Sequence, residues 1–265
     1  MLQLSTDKLT ARIENGVGWV TFNRPERHNA VSLDMWQALG DAIDRFEADP
    51  DVRVVVLTGA GGKAFAAGAD ISEFGSQRAN DAQRKHYGQV SSRSFKALSG
   101  CSKPVIAAIR GYCIGGGLLI AMAADVRFAT EASRFGVPAA KLGLGYDYAG
   151  VASLARLVGP ASAADILFSA RQLEADEALR IGLVNFVVDD DDLEHRIAEY
   201  TARIVDNAPL TIHAIKASLG VLSGYTKLPG RDEVEALVAR CYESDDYREG
   251  RTAFMEKRKP VFKGR

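Results

Sequence analysis

The stretch KPVIAAIRGYCIGGGLLIAMAAD, residues 103–125, does most to limit what this chain can fold into. Its first part, PVIAAI, has no alternation of polar and apolar positions, so a strand there is apolar on both faces and is covered on both. Glycines follow, and then LLIAMAA with helical spacing. A buried strand that passes through a glycine turn into an apolar helix is a unit of an α/β domain.

Similar runs predict strands at Gly18–Phe22, Val52–Leu57, Asp125–Ala129 and Leu183–Val188. Helical spacing predicts helices at Leu33–Phe46, Ala82–Leu98, Gly117–Ala124 and Ala149–Val158. From Asp190 onward the pattern is helical. The chain therefore reads as an α/β core over residues 1–190 and a helical C-terminal region over 191–265, short for an independent domain and packed on the core or on another subunit. No fixed-period repeat is visible, and the acidic run at 189–192 reads as a solvated helix start.

With 265 residues, 47% of them hydrophobic, the chain can bury a full core without staples. Its 33 basic and 34 acidic residues leave a net charge of −1, which gives no general attraction to nucleic acid or an anionic membrane. Cys101, Cys113 and Cys241 lack Cys-x-x-Cys spacing and read as reduced thiols. The N-terminus lacks the apolar core of a signal peptide, and Leu118–Ala124 is too short to span a bilayer, so a cytoplasmic protein without membrane contact is expected.

VVVLTGAGGKA, residues 54–64, follows the looser dinucleotide pattern, but no acidic residue closes a second strand about twenty residues on to hold a ribose. It reads as a glycine turn leaving a buried strand. His28, His86, His195 and His213 are dispersed, without a ligand set of metal-binding spacing.

Two loops remain. KAFAAGADISEF (63–74) and GYCIGGG (111–117) each place small side chains at a strand's carboxyl end, where free backbone N–H groups can meet a ligand. Together they can donate to one developing negative oxygen. A third stretch, GVPAAKLGLGYDYAG (136–150), carries Asp147, which on residue types alone reads as a helix N-cap or Asx-turn. The basic tail EKRKPVFKGR (256–265) reads on the same grounds as a solvated terminus.

NRPERHNAVS (23–32), KAFAAGADI (63–71), KPVIAAIRGYCIGGG (103–117), ARQLEADEALRIGLVNFVV (170–188) and REGRTAFMEKRKPVFK (248–263) resemble the enoyl-CoA hydratase/isomerase, or crotonase, superfamily, in order and over nearly the whole chain. The resemblance implies a crotonase-like spiral of β-β-α units, two roughly perpendicular sheets and a helical C-terminal trimerisation region in a homotrimer or homohexamer. It implies an acyl-CoA thioester substrate, with coenzyme A carried by the substrate and no other cofactor. The enolate oxygen would be held by the backbone amides of Ala69 and Gly116, at about 3 kcal/mol per donor. Ala67, Ala69, Asp70, Ile71 and Ser72 match the strip that holds the coenzyme; Phe254 and Lys257 match a neighbour's coenzyme site, and Arg24 and Arg27 are weaker phosphate candidates.

Hydratases of this family use two glutamates, and here those positions are Leu119 and Ala139. Neither transfers a proton, whereas adding water to a double bond requires a base near oxygen and an acid near carbon. Asp147 falls where the resembling dienoyl-CoA isomerases carry a catalytic aspartate and chlorobenzoyl-CoA dehalogenases a nucleophilic one. Isomerase-like chemistry with Asp147 as acid/base is thus expected ahead of hydration. The alternatives are hydrolysis or dehalogenation with Asp147 as nucleophile, a CoA-binding protein without catalysis, and an NAD oxidoreductase if the 54–64 loop binds cofactor. Tyr146 and Tyr148 line an acyl pocket with Leu119 and Ala139, or only pack.

Overall fold

The computed structural model describes residues 1–73, 80–222 and 231–265. In chain order these form β1 (Leu9–Glu14), β2 (Val17–Phe22), α1 (Leu33–Ala48), β3 (Val54–Gly59), β4 (Ala64–Ala66), α2 (Asp81–Gly100), β5 (Val105–Ile109), β6 (Tyr112–Ile114), α3 (Gly116–Met122), β7 (Val126–Thr130), β8 (Arg134–Gly136) and α4 (Tyr148–Ser169). There follow β9 (Leu173–Glu174), α5 (Ala175–Arg180), β10 (Phe186–Val188), α6 (Leu193–Asp206), α7 (Pro209–Leu222), α8 (Arg231–Glu243) and α9 (Asp245–Glu256).

Two sheets result among the described residues, one in the order β1-β2-β3-β5-β7-β10 and one in the order β4-β6-β8-β9. Three successive turns have the same plan: a strand in the large sheet, a short strand in the small sheet, then a helix. These are β3–β4–α2, β5–β6–α3 and β7–β8–α4. The repeat leaves no fixed period in the sequence because its helical legs differ, α2 having 20 residues and α3 only 7.

Alternation along the strands sorts their side chains into two layers. Val55, Leu57, Val105, Ala107 and Ile109 join the main core, while Val54, Val56, Ile106 and Ala108 face the other way onto Phe128, Leu193 and Ile197. The five predicted strands are present, and the apolar-on-both-faces pattern marked them correctly. Strands β4, β6 and β8, each three residues long, were not predicted, because so short a run shows no period. Strand β1 was missed because an edge strand with half-exposed charges, LTARIE, lacks an apolar run.

Helix α4 runs beyond its predicted end to Ser169, across non-helical dihedrals at Gly159 and then Pro160. Its 22 residues and mean hydropathy of 1.4 satisfy the length and composition of a membrane span. The break at Gly159 divides it into two pieces, each too short to cross a bilayer.

In the C-terminal region, α6 lies directly on the outer face of the large sheet through Leu193 and Ile197. Lys216 of α7 ties that helix to the core, its Nζ donating to Asp125 Oδ2 at 2.7 Å and to the Lys103 carbonyl at 2.7 Å. The basic tail is not simply solvated. Lys263 and Gly264 donate their backbone N–H groups to the buried Asp246 carboxylate at 2.6 and 2.8 Å, and the Arg265 carbonyl accepts from Asp245 N at 2.7 Å.

Candidate active site

Two glycines of the 115–117 run have a steric reason, and the third faces the cleft. Gly115 has φ +52°, a conformation that favours glycine. A β-carbon on Gly117 would lie 2.1 Å from the Ala66 carbonyl oxygen, so only glycine lets α3 sit against β4. Gly116 faces the cleft: a β-carbon there would be 3.5 Å from Ala69 N and 3.6 Å from Trp36 Cζ2. As the first residue of α3, Gly116 has an amide with no intrahelical acceptor.

Ala69 reaches the same place by a different route. Val31 pairs with it as an isolated parallel bridge, Val31 N donating to Gly68 O at 2.7 Å and Asp70 N to Val31 O at 3.0 Å. In such a bridge the peptide groups of the central residue point away from the partner, so the Ala69 N–H is turned from Val31 toward the glycine turn. The two predicted amides are therefore adjacent in space.

The strip is clamped to the 24–33 segment. Asn29, fully buried, donates to Ala60 O at 3.0 Å and Ala64 O at 2.7 Å and accepts from Arg24 N at 2.8 Å. Arg24 Nη1 meets Asp70 Oδ2 at 2.8 Å, and Ser72 donates through Oγ at 2.6 Å to Asp70 Oδ1. Burial raises the Asp70 pKa, but the hydrogen bonds from Ser72 and Arg24 outweigh it and leave a net lowering. Within the chain, Arg24 Nη1 donates both to Asp70 and to the Ala30 carbonyl. Arg27 is exposed on the short 3-10 turn Pro25–Arg27, and Ser72 is exposed beside the strip.

A cleft of about 580 Å³ opens in front of the two amides. Ala67, Ala69, Ile71, Leu119, Ala139, Tyr146 and Asp147 all line it, together with Gly116. Tyr148, by contrast, is 86% exposed and lies outside the lining, because it begins α4 on the helix's outer side. Asp147 is the N-cap of α4, its Oδ1 accepting from Gly150 N at 2.6 Å. It is also the only carboxylate among the described residues that line the cleft. Tyr146 packs its ring against Gly150, and its hydroxyl is buried without a hydrogen-bond partner. Burial, and then the charge of Asp147, raise the Tyr146 pKa and keep the phenol protonated.

Sequence reasoning missed the floor of the cleft. Trp36 from α1 and Tyr87 from α2 are buried there, with Trp36 Nε1 donating to Tyr87 Oη at 2.9 Å. The available signals were a tryptophan whose buried N–H requires an acceptor and a glycine, Gly88, inside a helical pattern. Phe254 and Lys257 do not line this cleft; Phe254 lies along a separate apolar groove of about 950 Å³ between α7, α8 and α9. Cys101 and Cys113 are not reactive candidates, since burial pushes Cys101 up to about 12 and raises Cys113 as well.

The 54–64 segment lacks the helix that a dinucleotide-binding unit places after its glycine turn. It joins β3 to β4 rather than to a helix, and a β-carbon on Gly61 would lie 2.4 Å from Pro25 Cβ, so the 24–30 segment fills the space above it.

A sequence profile described as Enoyl-CoA hydratase/isomerase matches residues 12–265. The chain is 39% identical over 249 residues to the short-chain-enoyl-CoA hydratase of Clostridium acetobutylicum, covering 93% of this chain and 94% of that one. It is 37% identical over 250 residues to the carnitinyl-CoA dehydratase of Salmonella typhi, with 93% and 94% covered. The crystal structure of an enoyl-CoA hydratase/carnithine racemase from Magnetospirillum magneticum matches with a TM-score of 0.91 and 41% identity, over 98% of this chain and 97% of the other. The architecture is that of the crotonase fold. The chain belongs to the enoyl-CoA hydratase/isomerase family, whose members act on acyl-CoA thioesters.

Proposed function

We propose that the cleft holds an acyl-CoA thioester with its carbonyl oxygen between the amides of Ala69 and Gly116, and that Asp147 moves a proton on the acyl group. The carrying observation is that Asp147 is the sole carboxylate among the described lining residues, while Leu119 and Ala139 offer no acid or base. Removing a proton from an acyl carbon places negative charge on the thioester oxygen, which fixed backbone dipoles stabilise without reorganising. One carboxylate that takes a proton from one carbon and returns it to another completes a double-bond shift. Hydration needs a second group to activate water, so isomerisation suits this wall better than the activity in the relatives' names. Asp147 Oδ1 is held by Gly150 N, while Oδ2 has no hydrogen bond among the described residues and is the oxygen assigned to proton transfer.

Phe254 is 83% and Met255 80% exposed in the single chain. Phe254 and Lys257 are assigned to the coenzyme site of a neighbouring subunit in a homotrimer or homohexamer, a state that light scattering reads directly.

The test offers wild type and Asp147→Asn a set of enoyl-, dienoyl- and aryl-CoA thioesters and follows deuterium exchange beside the thioester carbonyl. The variant is expected to lose about a hundredfold in exchange rate. Equal rates would remove Asp147 as the acid/base. An Asp147 peptide that gains mass after turnover in heavy-oxygen water would replace proton transfer by nucleophilic attack, and thioester binding without exchange in wild type would leave a binding protein.

A further inference from the structure

Beyond the thioester group, the cleft describes the acyl end. Trp36 stands next to the amide pair, 3.6 Å from the β-carbon position on Gly116, and its hydrogen bond to Tyr87 locks two buried rings together. Acyl carbons leaving the carbonyl therefore start on a rigid aromatic floor. The residue after Tyr87 is Gly88, inside the 20-residue helix α2. A glycine there destabilises the helix relative to alanine. Among the described residues nothing requires it: its φ is not positive, and no atom lies within 4 Å of where its β-carbon would be. Its effect is to leave the cleft wall open beside Tyr87. On the 138–147 side the cleft is widened again by the small Ala139, and Leu142 and Leu144 leave 49% and 38% of their surface uncovered.

A short straight acyl chain would end on Trp36 and leave the Gly88 opening and the leucines wet. A long straight chain would cover the leucines but not the lateral space. We infer that the cleft is shaped for a ring-bearing acyl group, lying on the Trp36–Tyr87 floor with its edge in the opening at Gly88; this rests on the CoA-thioester reading above. Gly88 is then a specificity-determining residue, and apolar surface removed from water supplies the preference.

The test measures equilibrium binding of three saturated, unreactive thioesters, butyryl-, octanoyl- and phenylpropionyl-CoA, by calorimetry with the full chain. Wild type is expected to bind phenylpropionyl-CoA about tenfold more tightly than butyryl-CoA, and more tightly than octanoyl-CoA. Gly88→Leu fills the opening with a good helix former, so its circular dichroism matches wild type while the phenylpropionyl advantage disappears; Gly88→Ala keeps most of it. Octanoyl-CoA binding as well as phenylpropionyl-CoA, or Gly88→Leu weakening all three equally, overturns the ring assignment and leaves the thioester reading intact. If none of the three binds, the thioester reading itself fails and this inference with it.

Discussion

In the 115–117 run Gly115 is fixed by a positive φ and Gly117 by a carbonyl in contact; in the 143–145 run neither glycine has an atom within 4 Å of a β-carbon position, and only Gly143 has a positive φ. The first run positions backbone donors; the second belongs to the segment that carries Asp147 and Tyr146. The side assigned to the oxyanion is thus held by packing, and the side assigned to proton transfer depends on side chains set on an exposed loop. On the proposed reaction, a fold built this way keeps its two amides while the residues facing the acyl group change.

The largest effect is expected from Gly117→Ala. Its methyl would meet the Ala66 carbonyl at 2.1 Å, and urea denaturation should show a loss of about 3–5 kcal/mol or no folded protein. Gly145→Ala is the matched control and should be neutral within about 0.5 kcal/mol; equal outcomes for the two would erase the contrast. Gly116→Ala comes next. It meets no atom closer than 3.5 Å, so the protein folds, but its methyl stands over the Ala69 amide and thioester exchange should fall about a hundredfold.

Asp147 separates its two duties at a smaller scale. Asp147→Ala should lose about 1 kcal/mol of stability with the cap, and Asp147→Ser should recover that stability without recovering exchange. The smallest effect is Tyr146→Phe, which deletes a buried hydroxyl that has no partner and should leave stability unchanged or raise it by up to about 1 kcal/mol in thermal melts.

These contrasts also show what could be read from residues alone. The strands apolar on both faces, the two small-residue loops and the carboxylate at 147 were legible because each leaves a local pattern. The clamp made by Asn29 was not, since a single side chain reaching Ala60 and Ala64 has no period. Trp36 read simply as part of an amphipathic helix; only the packing of α1 on α2 brings it to Tyr87 and the amide pair. Asp147 was left between cap and catalyst by the sequence, and the structure shows the cap bond without making it exclusive, because a carboxylate has two oxygens.

The unequal helical legs of the three β-β-α turns carry an evolutionary consequence. Both amides belong to the segment after β4 and the start of α3, while α2 is a long excursion that leaves the sheets and returns to β5. Positions 84, 88 and 91 on its cleft-facing side can be rewritten, singly or as a library, while the donors stay where the sheets put them. On the proposed reading, new acyl preferences are then reached by drift in one helix, with the two amides left in place.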